Sequence, residues 1–279
     1  MSKMQGNNQM TTREKNLIVY HCALEYLHSL LPEGMKKADL DKYYVGDSRG
    51  FESLADIFEQ FIQSAQNYQG MPNFIKYSVR RTEIKNILFD FDIAQIADCS
   101  VEELYLTFRK AFGITSKDNY FNAWHKWSKS IVDVAKFLCE FGGVDGFLKF
   151  VGQFDYNLPM RTALPLLISK KISGIGFTLA CDCLKELGFF NYAKPDTHLI
   201  DIFEGLMLSD RDPVSVFEAI VRMSDDCKTM DQTTTPNKID KVLWLICSGR
   251  FYLDNITIGR HKDDFILLAS KSLGSIRHE

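Results

Sequence analysis

Two short stretches hold residue types and spacings that could do chemistry. The first is Ser173-Gly174-Ile175-Gly176, a glycine-punctuated turn between two apolar segments. The second is Lys194-Pro195-Asp196-Thr197-His198-Leu199, which sets a carboxylate 22 residues after Gly174. Glycine tolerates dihedrals that other residues avoid and lets another backbone or an anion come close. The segment after the turn, Phe177 to Leu187, should open a new helix. The first N–H groups of a helix lack intrahelical partners, and with the helix dipole they favour an anion such as a phosphate. Ser173, Gly174, Gly176 and Thr178 are the residues that would cradle it. Asp196 falls where a further helix should begin. It suits either a plain N-cap or a carboxylate that stabilises cationic charge and takes a proton from water.

The elements that must hold these residues are helical. Apolar positions recur at helical spacing over 13–31, 51–69, 79–91, 100–112, 119–141, 144–152, 161–170 and 177–187. The same period continues over 196–208, 213–227, 236–251 and 261–273. Strand-like alternation is almost absent, so the predicted class is all-α. Residues 1–12 read as a polar tail and 36–50 as a loop-like stretch. Ser100 with Glu103 forms a capping-box signature, and Gly142-Gly143 ends the helix that carries Trp124 and Trp127. Those two tryptophans suit either stacking on a base or filling core, and their spacing on an amphipathic helix favours core. His125, between them, is expected on the exposed face. The apolar segment 238–252 should pack with the N-terminal helix. Its Lys241 and Arg250 could meet phosphate or simply solvent.

Composition sets bounds. Hydrophobic residues make up 46% and charged residues 25% of the 279, as in ordinary folded domains. Lys plus Arg number 33 against 36 Asp plus Glu, a net charge of −3. A bulk cationic field is therefore absent, and any nucleic-acid role must rest on a local site. The seven cysteines are odd in number and scattered, which points to free thiols in a reducing compartment. Cys181 and Cys183 would point about 200° apart on a helix and cannot share a metal. No apolar run reaches the roughly 18 residues of a membrane span.

Gly174-Ile175-Gly176, an apolar helix, and Asp196-Thr197-His198 together resemble the helix-hairpin-helix DNA glycosylase superfamily, endonuclease III-like in pattern. The resemblance covers about residues 51–205. Phe61-Ile62-Gln63-Ser64-Ala65-Gln66 resembles that family's helix ending in Ser-Ala-Gln, and 122–143 resembles the helix before its hairpin. It implies a two-lobed helical fold with a cleft between the lobes: 1–50 as an N-terminal helix joining the C-terminal lobe, 51–195 with the hairpin at 164–187, and 196–279. It implies double-stranded DNA as partner, a base flipped from the stack, and excision of a damaged or modified base with Asp196 as the catalytic residue. Gln66, with Asn67 beside it, would wedge into the DNA. His198 and Trp124 would border the base pocket, although a histidine at the His198 position is more often a helix-terminal hydrogen-bonding residue.

Two departures shape the expectation. The bifunctional branch carries a Schiff-base lysine four residues after the first hairpin glycine, and here Thr178 stands there. Lys170 and Lys171 precede the turn. A water-using monofunctional enzyme without lyase activity is therefore expected. Cys227 and Cys247 lack the clustering of the family's iron–sulfur ligands, so no cluster is expected, and no cofactor beyond a monovalent cation that the hairpin could hold. A monomer in the bacterial cytoplasm on the nucleoid, or in a nucleus, would fit. The competing readings are a non-catalytic hairpin protein that grips DNA, a helical regulatory protein without a DNA role, and a defence glycosylase acting on modified invading DNA.

Overall fold

The computed structural model describes residues 10–45, 50–68 and 70–275. The described residues form fifteen α-helices, two short 3-10 turns and one two-stranded sheet. The fold class is all-α. Helices α1 (Thr12–Ser29) and α2 (Asp41–Val45) come first. Then follow α3 (Leu54–Gln66), α4 (Pro72–Ile75), α5 (Tyr77–Ile87), α6 (Ile93–Ala97) and α7 (Val101–Ala111). Next are α8 (Ala123–Cys139), α9 (Val144–Gln153), α10 (Leu158–Lys171) and α11 (Phe177–Glu186). The chain closes with α12 (Thr197–Gly205), α13 (Pro213–Cys227), α14 (Pro236–Ser248), strands β1 (Arg250–Phe251) and β2 (Ile256–Thr257), and α15 (Lys262–Ser275).

These elements divide into two compact units. One comprises Met1–Gly46 with Pro195–Glu279, and the other Asp47–Lys194. In the second unit α8 is the central element, packed on α3, α6 and α7. Asn122 starts it by accepting from the Trp124 N–H over 3.0 Å. Trp127, Ile131, Val134 and Leu138 then fall on one stripe and are fully buried. Trp127 is anchored as well as buried, its indole N–H donating to Ile62 O at 2.9 Å. In the first unit α1 lies against α13, α14 and α15. Its Asn16 amide donates to the Asp226 carboxylate at 2.8 Å.

Several boundaries differ from the sequence expectation, each for a local reason. Residues 1–9 of the expected tail lie outside the described residues. The tail ends earlier than position 12, because Thr11 and Glu14 form a reciprocal capping box that starts α1 at Thr12. The loop-like stretch contains a 3-10 turn, Lys37–Leu40, and α2, whose Leu40 and Tyr43 are buried. Positions 46–49 of that stretch, and Gln69 at the end of the helix expected over 51–69, lie outside the described residues. The helix expected over 236–251 stops at Ser248. Gly249 turns left-handed at φ +61°, and Arg250–Phe251 pair with Ile256–Thr257. The short helices α4 and α6 fall below the length at which periodicity can be read.

Candidate nucleic-acid interface

The Ser173–Gly176 turn joins α10 to α11 and is tied to α8 from below. Ser173 N–H donates to Asp133 Oδ2 at 2.9 Å, and Ser130 Oγ donates to Ser173 O at 2.6 Å. Lys129 Nζ donates to Ser173 Oγ at 2.5 Å and lies 3.6 Å from Asp133. Gly174 takes φ +80°, and a methyl group there would stand 2.7 Å from Ser130 Oγ. Two independent constraints thus require glycine at 174. Gly176 is different. Its φ of −80° and ψ of 176° are ordinary extended backbone, and no atom lies within 4 Å of where a Cβ would stand. The strain expected at both glycines is confined to Gly174. Gly176 is exposed and N-caps α11 without a side-chain bond, while Thr178 is half-buried in the first turn.

Sequence reasoning missed the supporting role of α8. Lys129 and Asp133 are an i,i+4 pair of opposite charge, which reads from sequence as an exposed helix pair. The readable signal was Ser130, a polar residue on the stripe that Trp127 and Val134 bury.

In the other unit, Asp196 N-caps α12. Its Oδ1 accepts from His198 N–H at 2.9 Å and Leu199 N–H at 3.2 Å. The half-buried carboxylate also makes itself felt at Cys247: burial first, then the Asp196 charge, push that thiol up to about 12. Cys247 is therefore an inert buried thiol. His198 is half-buried, and its ring Nδ1 has no hydrogen-bond partner among the described residues.

The wedge and pocket residues are placed as follows. Gln66 ends α3, and its side-chain carbonyl accepts from Tyr77 N–H at 3.3 Å, at the start of α5. Asn67 is the exposed C-cap of α3. Trp124 is 3% exposed and belongs to the core, stacked on Phe112 at 5.0 Å and edge-on to Trp127 at 5.8 Å. His125 is not on a fully exposed face. It lies against Tyr105, ring centroids 5.1 Å apart, with Nε2 3.3 Å from Glu102. Lys241 donates to the Tyr252 hydroxyl at 3.3 Å, and Arg250 stands exposed on β1. Among the described residues no cluster of His, Cys, Asp and Glu could hold a metal ion, and no helix is long and apolar enough to cross a membrane.

Comparison with family models, with curated proteins and with solved structures returns no match for this chain.

Proposed function

We propose that this chain is a monofunctional DNA N-glycosylase that binds duplex DNA through a helix-hairpin-helix formed by α10, the Ser173–Gly176 turn and α11. The observation that carries the reading is the turn itself: Gly174 left-handed and set against Ser130, then Gly176 exposed at the start of α11 with open space where a Cβ would stand. Such an arrangement leaves room for a phosphate and binds it without reading sequence. The charge it needs is local, which is compatible with the net charge of −3.

Asp196 is the proposed catalytic residue. As the N-glycosidic bond breaks, its electron pair leaves on the base nitrogen and positive charge builds on the sugar. A carboxylate beside C1′ stabilises that charge and accepts a proton from the attacking water. The water oxygen bonds to C1′, the departing base takes up a proton, and an intact abasic sugar remains. Capping α12 holds the Asp196 side chain in one orientation, which a positioned base needs. Gln66 and Asn67 are the proposed wedge, and His198 the proposed neighbour of the flipped base.

A second reading, a non-catalytic DNA-binding protein, is favoured by the two backbone bonds on Asp196, which give that residue a sufficient structural role. The two are separated by incubating the protein with a panel of lesion-bearing and modified duplexes and measuring free base. Release from at least one duplex supports the glycosylase. Tight binding with no base released from any of them overturns it in favour of the binder.

A further inference from the structure

The unit Asp47–Lys194 carries a recess of about 640 Å³ bordered by the residues after α3, the start of α5, the end of α7 and the loop that leads into α8. That volume lies within the roughly 300–1,000 Å³ of sites for small organic ligands. Neither Asp196 nor any residue of the Ser173–Gly176 turn lines it.

Its charge is one-sided. Lys76, Arg80, Lys117 and Lys126 line the recess, and no carboxylate does, in a chain whose acids outnumber its bases. Asp118, the acid of the bordering loop, is not among the lining residues. The recess is also aromatic. Phe74 is 63% and Phe121 64% exposed at its rim. The Arg80 guanidinium lies 4.8 Å from the Phe112 ring centre and is held by Phe74 O and Ile75 O at 3.0 and 3.3 Å. The Lys126 ammonium lies 5.7 Å from the Tyr68 ring and 5.9 Å from the Phe121 ring.

Four cations exclude a purely apolar occupant, because they would lose water without gaining a partner. A simple anion gives no reason for two exposed phenylalanines. A base on a phosphodiester chain satisfies both: its phosphates meet the ammonium groups and its π-face meets the rings. Base faces are reachable only where pairing is absent, since in a duplex they are stacked on one another.

We infer that this recess binds a short unpaired stretch of nucleic acid, stacking bases on Phe74 and Phe121 and pairing phosphates with Lys76 and Lys126. The site does not depend on base excision and would operate in a protein with no catalytic activity.

The test uses the full chain and fluorescence anisotropy at low salt, with labelled ten-nucleotide oligothymidylate, oligouridylate, and an abasic strand of the same phosphate count. Binding to either base-bearing strand at least about tenfold tighter than to the abasic strand is expected, because stacking contributes per base. Phe74→Ala with Phe121→Ala should remove that advantage. Lys76→Gln with Lys126→Gln should reduce the salt dependence, by about 0.7 in log–log slope for each phosphate no longer neutralised. Both phenylalanines are exposed, so the double variant should keep the wild-type melting temperature. If it does not fold, the salt slope of the lysine variant decides. Gly176→Ala, which meets open space at an ordinary φ, should leave single-strand binding unchanged, so failure of the hairpin reading and failure of this one are distinguishable. Equal affinity for the abasic strand would overturn the inference, as would full affinity in the phenylalanine variant, the result expected if those rings dock a protein instead.

Discussion

The Lys194 ammonium donates to the Asp182 carboxylate over 2.9 Å, fixing to α11 the residue that stands two positions before Asp196. Asp182 and Lys185, whose ammonium is 3.4 Å away, are both buried. Burial alone would raise the Asp182 carboxyl, but Lys185 and then Lys194 outweigh it and hold it below its ordinary range. A depressed folded-state pKa gives stability that is complete above the unfolded value, about 3.9, and is lost as pH falls through the folded value. Asp182→Asn should therefore cost about 1–3 kcal/mol at pH 7, because buried Lys185 then keeps only the Glu186 carboxylate, 3.6 Å away, as a counter-charge. The cost should shrink in strong acid. Urea unfolding at pH 7 and near pH 2 checks this, and an equal loss at both would contradict it.

The two hairpin glycines should separate stability from binding. Gly174→Ala forces a side chain into φ +80° and against Ser130 Oγ, and should cost about 1–3 kcal/mol. Ser130→Ala added to it should recover only the part due to the clash. Gly176→Ala meets open space at an ordinary φ and should be neutral or stabilising by up to about 1 kcal/mol. Its methyl group would still crowd a phosphate at the α11 N-terminus. Thermal melts together with duplex anisotropy read both effects, and a Gly176→Ala variant with unchanged duplex affinity would count against the phosphate site.

At Asp196 the cap and the proposed chemistry respond to different substitutions. Asparagine caps a helix about as well as aspartate, so Asp196→Asn should leave the melting temperature within a degree or two. Base release should nevertheless fall at least about a hundredfold, since the amide cannot take a proton from water. Asp196→Ala should lose activity and about 1 kcal/mol of stability as well. Full turnover in the asparagine variant would remove Asp196 from the chemistry.

Thr178 cannot form an imine, and the nearby amines are engaged: Lys171 with Glu140 at 2.8 Å and Lys194 with Asp182. Borohydride should trap no covalent protein–DNA adduct. The abasic strand should break only on heating in alkali. Efficient trapping would show that one of these lysines leaves its carboxylate to attack the sugar.

How much of this was legible in the sequence follows from where the information lies. The long helices were readable because Trp127, Ile131, Val134 and Leu138 on α8 repeat at the period that buries one stripe. The left-handed turn at Gly174 and the helix start at Asp196 were readable because both depend on local backbone chemistry. The contacts between distant positions were not. Nothing near Ser173 announces Lys129, Ser130 and Asp133, some forty residues earlier, as its partners. The cationic and aromatic recess draws on segments from Tyr68, just after α3, to Lys126 in α8, so its residues meet only in the fold. The two-stranded sheet was hidden because each strand is two residues long.

One unit is built from both ends of the chain, and this has a consequence for how the protein is made. The α1 face that carries Val19, Tyr20, Ala23 and Leu27 is covered by helices encoded after position 212, and Asn16 bonds to a residue 210 positions away. At about 5–20 residues per second a ribosome needs roughly 10–40 s to supply those partners. During that interval α1 has left the exit tunnel with its apolar face uncovered, while Asp47–Lys194 emerges with all its own packing partners. Helix α1 is thus made long before α13, α14 and α15 can cover it.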